Sequence, residues 1–422
     1  MNILILGGGG REHSLAWAVA QNPKCDALFA APGNAGIAEI ATCLACDIED
    51  GAAVLSLAKA HDIDFVIIGP EAPLVAGVAD ALRAAGILTF GPSQAAARLE
   101  ASKSFTKEIC AAAGAPTAPY ARFTDLSSAQ AYLDTQPLPI VIKADGLAAG
   151  KGVTVATDRA MAEAALVDIF DGAFGKGGEA AVIEAFLTGE EASFFILADG
   201  TTAIPLGTAQ DHKRAFDGDT GPNTGGMGAY SPAPVMTDAV IHRTMDEIIR
   251  PSLAEMARRG TPFSGILFAG LMIEAGAPSL IEYNIRFGDP EAQVLMMRLG
   301  AQVLDLLLAA AEGRLAEARP QWAEDHALTV VMATRGYPGA YEKGSEIKGI
   351  EDIADTPNAE IFHAGTARTA EGHLIAAGGR VLAITARGAT LEAAYAAAYG
   401  MVRQITWPEG FYRTDIGWRA LK

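Results

Sequence analysis

Positive charge is scarce in this chain, with 32 lysines and arginines against 50 aspartates and glutamates and a formal charge of −18 at pH 7. A polyanion would be repelled by that field unless a strong basic patch broke it, and none is visible, so general nucleic-acid binding is excluded. Cysteine is equally sparse, four in 422 residues. Cys43 and Cys46 form a lone C-x-x-C without a second pair or a nearby histidine to complete a zinc set, and a redox or metal role is not expected of them. Apolar runs long enough to cross a bilayer are lacking, because Glu274 and Asp305 break the longest candidates. Neither a basic leader nor a small-residue cleavage site precedes the first apolar run, "ILIL", so the expected location is the cytoplasm.

What is abundant is apolar residue and glycine: half the chain is hydrophobic and 46 residues are glycine. That composition and length suggest compact α/β packing in about two to four domains. "NILIL" (2–6), "LFAA" (28–31), "FVIIG" (65–69) and "ILTFG" (87–91) read as strands, with helices over 11–21 and 74–85 between them. This alternation predicts a parallel sheet covered on both faces, over residues 1–101. A helix over 102–113 stops near Gly114, and Pro116 and Pro119 mark a joint. From 139 to about 206 "PIVIKA", "GVTVAT", "AAVIEAF" and "ASFFILA" read as strands around one helix at 158–170, within a smaller lobe of about 118–190. Residues 209–236 read as a long functional loop, 238–259 as a helix, and "GILFAGLMIEAG" and "PSLIEYNIRFG" as two strands. A second unit thus spans 102–325, and 326–422 reads as several strands and two helices in a last domain.

Four stretches carry chemistry. "KADGLAAGKG" (143–152) departs from a P-loop, since only three residues separate Gly146 from Gly150 and Gly152 replaces the hydroxyl after Lys151. The β-branched run after it makes it a glycine-rich turn between strands, with Lys143 leaving a buried strand towards an anion. Lys103, near the start of its helix, sits against the dipole preference; alone that means little, and two lysines aimed at one anion would mean more. Gly7 to Gly10 follow a strand and open a helix, but G-x-G-x-x-G fails at Glu12, so a single phosphate on the amides of Gly9 and Gly10 fits better than NAD. In "IEYNIRFGDPEAQ" (281–293), Glu282, Asn284 and Arg286 share one strand face. The first two are hard oxygen donors suited to magnesium, and the guanidinium suits a phosphate or carboxylate. Ile281, Tyr283, Ile285 and Phe287 make the opposite face apolar. "QDHKRAFDGDTGPNTGGMGAYSPAP" (210–234) sets Asp211, His212, Lys213 and Arg214 at the head of a substrate-closing loop.

Together "GGGGREH", "APGNAG", "GPEAPLV", "SKSFTK", "IVIKADGLAAGKGV", "GEEASF", "QDHKR", "GPNTGGMGAYSP", "RFGDPEAQ" and "DIGWRA" resemble the ATP-grasp superfamily, and within it the phosphoribosylamine-glycine ligases, over essentially the whole chain. The resemblance implies an ATP-grasp fold behind a Rossmann-like N-terminal domain, with a small α+β domain at the end. It also implies ligation of glycine to 5-phosphoribosylamine with ATP and Mg2+ or Mn2+, by way of glycyl phosphate. By resemblance, Lys103, Lys143, Gly150, Lys151 and Gly152 lie at the phosphates, Glu184, Ala185, Phe186 and Leu187 at adenine, and Glu191 at the ribose. Glu282 and Asn284 are expected at the metal. Gly9, Gly10, Asn34 and Glu71 fall to the amine substrate, and Asp211, Lys213, Arg286, Gly288 and Asp289 to the reacting centre. The second glycine position, often asparagine in the family, is Gly8 here. A monomer is the expected state. Another ATP-grasp ligase or carboxylase, a non-catalytic nucleotide-binding regulator and an NAD oxidoreductase are the competing readings.

Overall fold

Ile3 to Leu6 have no exposed side chain on either face of their strand, as parallel strands under helices require. In the computed structural model, which describes residues 1–147, 152–175, 180–351, 353, 356 and 358–421, they lie in β1 (Asn2–Gly7) at the centre of a parallel sheet. Its partners are β2 (Ala27–Pro32), β3 (Thr42–Cys43), β4 (Phe65–Ile68) and β5 (Leu88–Phe90), in the order β3-β2-β1-β4-β5. The order reverses beside β1, so a crevice opens at the carboxyl ends of β1 and β4. Gly8 to Gly10 and Glu71 start the helices that leave these ends. The helix expected over 74–85 is two, Glu71–Val75 and Val78–Ala84, interrupted at Gly77 with φ +86°. Helices Gly51–Ala60 and Gln94–Ala101 have no counterpart among the expected elements.

A second, antiparallel sheet contains β6 (Tyr120–Phe123), β7 (Ile140–Ala144), β8 (Val153–Ala156) and β9 (Ala181–Ala185), in the order β6-β9-β7-β8. Lys143 of β7 faces Val153 of β8 across the pair, so "KADGLAAGKG" joins neighbouring strands, as expected. Of that turn, Gly150 and Lys151 lie outside the described residues. Helices Leu126–Leu133 and Arg159–Phe170 close a small core over this sheet.

The largest sheet holds β10 (Glu190–Asp199), β11 (Ala203–Asp211), β14 (Gly228–Ser231), β15 (Ser264–Glu274), β16 (Ala277–Asn284), β17 (His326–Thr334), β18 (Ala359–His363), β21 (Arg380–Gly388) and β22 (Gly410–Phe411). Its path is β16-β15-β10-β11-β14-β17-β21-β18, with β22 on β17. Two hairpins stand apart, β12 (Arg214–Phe216) with β13 (Thr220–Asn223), and β19 (Thr366–Arg368) with β20 (Leu374–Ala376). The long loop expected over 209–236 is therefore corrected: it contains β12, β13 and β14. Every residue of β14 is buried, which leaves no alternation to read, and its pairing with β11 and β17 fuses the last hundred residues to the central sheet. The described residues of 326–422 hold one α-helix, Leu391–Val402, where two were expected. Helix 238–259 is present as Asp238–Arg258 with a π segment at Met245–Ile249. Glu291–Ala311 is long and apolar enough by composition to cross a bilayer despite Asp305, but 67% of the window is buried within the protein.

Candidate active site

A cleft of about 770 Å³ separates the β6–β9 lobe from the β10–β16 face. Its cationic side is built by β7 and the helix Lys103–Ala113. Ser102 caps that helix by accepting from Phe105 N, and Asp145 braces the same turn by accepting from Ser104 N at 3.1 Å and Ser104 Oγ at 2.6 Å. Burial opposes the charge of Asp145, but the Ser104, Arg122 and Ser102 hydrogen bonds prevail and hold its pKa below the ordinary value. Lys103 thereby reaches across to the Gly146 carbonyl at 2.9 Å; burial lowers its pKa, with Glu282 opposing. Lys143 Nζ lies 2.9 Å from Glu184 Oε2, and Lys107 Nζ lies 3.3 Å from the same oxygen. All three groups are at most 4% exposed, and Glu184 Oε1 is buried without a hydrogen-bond partner among the described residues. Lys107 is absent from the expected site, although its i,i+4 spacing from Lys103 on one helix face was the available signal.

Opposite stand the oxygen donors of β16. A bulge sets Gly270 against Glu282 but Leu271 against Leu280, so Ile281 is the extra residue and turns into the cleft beside Glu282. This corrects the expected apolar face: Ile285 and Phe287 are buried away from the cleft, whereas Ile281 lines it with Asn284 and Arg286, and Tyr283, itself buried, also borders it. The strand also ends at Asn284, because Ile285 N donates to Glu100 Oε2 at 2.8 Å. Burial resists the charge on Glu282, yet Lys213, Lys143 and Lys103 hold its pKa below the ordinary value. Arg286 pairs with Glu71 at 3.2 Å and with Glu100 at 2.9 Å. Lys213 pairs with Glu191. Burial pushes Asp211 up to about 7, with Lys213 opposing and Glu291 and Glu191 reinforcing. Burial likewise raises Glu291, whose Oε1 accepts from Ser193 Oγ at 3.2 Å. Glu291 was not expected, since an acidic residue opening a helix reads as an ordinary dipole partner. Gly288 makes room for it, because a Cβ there would lie 2.2 Å from Glu291 Oε2.

Of the expected residues, Lys103, Lys143, Gly152, Glu184, Ala185, Phe186, Leu187, Glu191, Asp211, Lys213, Glu282, Asn284, Arg286, Glu71, Gly288 and Asp289 line this one cleft. Ala185 N donates to Pro119 O at 2.9 Å and is already satisfied. Gly9, Gly10 and Asn34 are not among the cleft-lining residues; Gly9 and Gly10 lie behind Asp289, whose carboxylate would be 3.4 to 3.6 Å from a Cβ at either. The Gly9 amide, expected at a substrate phosphate, donates to Glu12 Oε2 at 2.8 Å, the capping contact of its own helix. Asn34 spends its side chain on backbone, donating to Gly8 O and His363 O and accepting from Gly36 N and Ile37 N. It shapes the crevice as a brace. Arg380, from the C-terminal region, pairs with Asp289 at 3.2 Å and was not expected at all.

Two β-rich lobes facing each other across a cleft, with buried lysines on one side and hard oxygen donors on the other, define an ATP-grasp protein. Family models agree over three consecutive segments: the phosphoribosylglycinamide synthetase N domain at residues 1–100, its ATP-grasp (A) domain at 101–292 and its C domain at 327–419. The chain belongs to the phosphoribosylglycinamide synthetase family. It is 60% identical over 421 residues to the phosphoribosylamine-glycine ligase of Agrobacterium fabrum, covering 100% of this chain and 99% of that one. It is 55% identical over 419 residues to the chloroplastic phosphoribosylamine-glycine ligase of Arabidopsis thaliana, covering 98% and 79%. Among solved structures, the phosphoribosylamine-glycine ligase of Thermotoga maritima superposes with a TM-score of 0.86 at 32% identity, covering 99% and 100%. The biotin carboxylase domain of Hydrogenobacter thermophilus 2-oxoglutarate carboxylase shares the fold, with a TM-score of 0.74 at 16% identity over 97% and 91%.

Proposed function

We propose that this protein ligates glycine to 5-phosphoribosylamine in de novo purine synthesis, splitting ATP to ADP and phosphate through glycyl phosphate. The observation that carries this reading is the single cleft in which Lys103, Lys107 and Lys143 oppose Glu282 and Asn284. The ATP phosphates would lie between Lys103 and Lys143, with Gly152 beside them and Gly150 and Lys151 proposed from the sequence alone, adenine against Glu184 to Leu187, and the ribose hydroxyls at Glu191. Glu282 and Asn284 would hold Mg2+ or Mn2+, which when bound neutralises phosphate charge. Among the described residues no set of three His, Cys, Asp or Glu side chains is placed to hold a metal alone.

The chain supplies positioning and charge rather than a nucleophile. Glycine carboxylate attacks the γ-phosphorus while Arg286 and Lys213 offset the charge that builds there. The amine then attacks the acyl carbon, the C–N bond forms as the C–O bond to phosphate breaks, and Asp211 takes the released proton. Glu71, Gly288 and Asp289 line the amine's side, with Gly9, Gly10 and Asn34 shaping the crevice behind them. The division of labour we infer is 1–101 for the amine, 102–325 for ATP and 326–422 closing the site, in a cytoplasmic monomer. Parallel assay of ADP and glycinamide ribonucleotide tests the reading: ADP release should require both glycine and phosphoribosylamine, and ADP formed regardless of either substrate would defeat it.

A further inference from the structure

The backbone around Lys213 is held from several directions. Lys213 O accepts from Thr224 N at 2.7 Å and Thr224 Oγ1 at 2.8 Å. His212 O accepts from Met227 N at 2.8 Å, and the His212 ring accepts at Nε2 from Gly417 N at 3.2 Å. Burial, with Arg413 and Arg419 nearby, pushes that ring down to about 3, so it stays neutral and keeps its acceptor. Arg214 O accepts from Arg413 Nη1 at 3.1 Å. Arg413 has no exposed surface and no place in the cleft wall. Its guanidinium joins Asp219 Oδ1 at 2.9 Å to both oxygens of Asp415, at 2.7 and 2.8 Å.

These contacts strap the hairpin β12–β13 to the C-terminal segment at its tip as well as its base. Asp415 accepts from Gly218 N at 2.8 Å, Thr414 N donates to Asp217 Oδ1 at 2.8 Å, and Arg419 donates to Asp219 Oδ2 at 2.6 Å. Beyond the hairpin, Arg380 donates to Gly225 O at 2.6 Å and to Asp289 O at 2.6 Å. Arg214, Asp219 and Asn223 of the hairpin line the cleft.

We propose that Arg413 is a positioning residue for acyl transfer, holding the Arg214–Asn223 hairpin over the cleft so that Lys213 and Asp211 meet the amine and exclude water. The proposal rests on the ligase reading above. Without Arg413, Asp219 keeps Arg419, but Asp415 and the Arg214 carbonyl lose their cation and the base of the hairpin loosens. Water then attacks the acyl carbon in place of the amine, the C–O bond to phosphate breaks, and glycine and phosphate leave without an amide.

The test compares full-length Arg413→Met and Arg413→Lys with the unaltered protein, measuring ADP, glycinamide ribonucleotide and the KM for ATP. The unaltered protein should release one ADP per product, about 1:1. Arg413→Met should raise that ratio at least about fivefold with the KM for ATP changed less than about twofold, and Arg413→Lys should fall between, because an ammonium cannot bridge both carboxylates in a fork. Coupled turnover in Arg413→Met, or joint loss of ATP binding and both products, overturns the positioning role. If Arg413→Met does not fold, Asp415→Asn, outside the cleft wall, weakens the same bridge and is read the same way. An unaltered protein that makes no glycinamide ribonucleotide overturns the ligase reading, and the positioning role with it, whereas coupled turnover in Arg413→Met overturns the positioning role alone.

Discussion

The buried triad of Lys107, Glu184 and Lys143 gives an ordering of variants that charge counting alone would miss. Both ammonium groups lie within 3.3 Å of one Glu184 oxygen, so without the carboxylate they repel by about 3 kcal/mol at an effective dielectric of about 20. Glu184→Gln therefore strands two buried cations and should cost about 3 to 5 kcal/mol, the range for removing one partner of a buried pair. Lys143→Met leaves the Lys107–Glu184 pair intact and should cost only about 1 to 2 kcal/mol. The activities should order the other way within the folded fraction. Lys143→Met removes a cation proposed to meet the phosphates and should lower kcat by about 10²- to 10³-fold, whereas folded Glu184→Gln retains both lysines. The double variant Lys143→Met/Glu184→Gln should be more stable than Glu184→Gln alone, since it removes the surplus charge. Denaturant midpoints at neutral pH, with ADP release measured below the transition, would show this. Equal destabilisation by the two single variants, or no recovery in the double variant, would refute the shared-counterion argument.

Three further outcomes follow from the same geometry. Because Asp211 is raised to about 7, it is protonated below that pH and cannot accept the amine's proton. The value of kcat/KM should fall about tenfold per pH unit on the acid side, and an acid limb that survives in Asp211→Asn would assign it elsewhere. Burial, with His363 nearby, lowers His13 to about 3, so the unfolded chain binds the proton that the folded chain refuses. Stability should then be lost as pH falls from about 6.5 towards about 3, by about 2 kcal/mol at pH 5 from this group, and His13→Asn should shrink the difference between midpoints at pH 5 and pH 7.5. Glu282→Gln removes a charged oxygen contact worth about 1.5 to 3 kcal/mol, so half-saturation by Mg2+ should need at least about tenfold more metal; an unchanged requirement would remove Glu282 from the metal.

The sheet alternation of the first hundred residues and the two faces of 282–287 were legible because each follows from a local period. Strand residues two apart share a face whatever lies around them, so Glu282, Asn284 and Arg286 could be grouped before any fold was known. Ile281 could not be placed, since the bulge that turns it depends on the register against Gly270 and Leu271. Lys107 had a helical spacing to announce it, but only Glu184, on β9, shows that its charge is used. The segment 209–236 read as a loop because glycine, proline and aspartate dominate it, and β14 emerges only through its partners β11 and β17.

The sequence by itself determined the family, the lysines and oxygen donors of the cleft, and the turn between antiparallel strands, because those features are written in adjacent residues. Tertiary structure alone decided that Glu12 takes the Gly9 amide, that Asp211 titrates near neutrality and that Arg380 and Arg413 reach the lid from the far end of the chain. Each of these depends on burial or on contact between groups distant along the chain, and neither quantity exists until the backbone has closed.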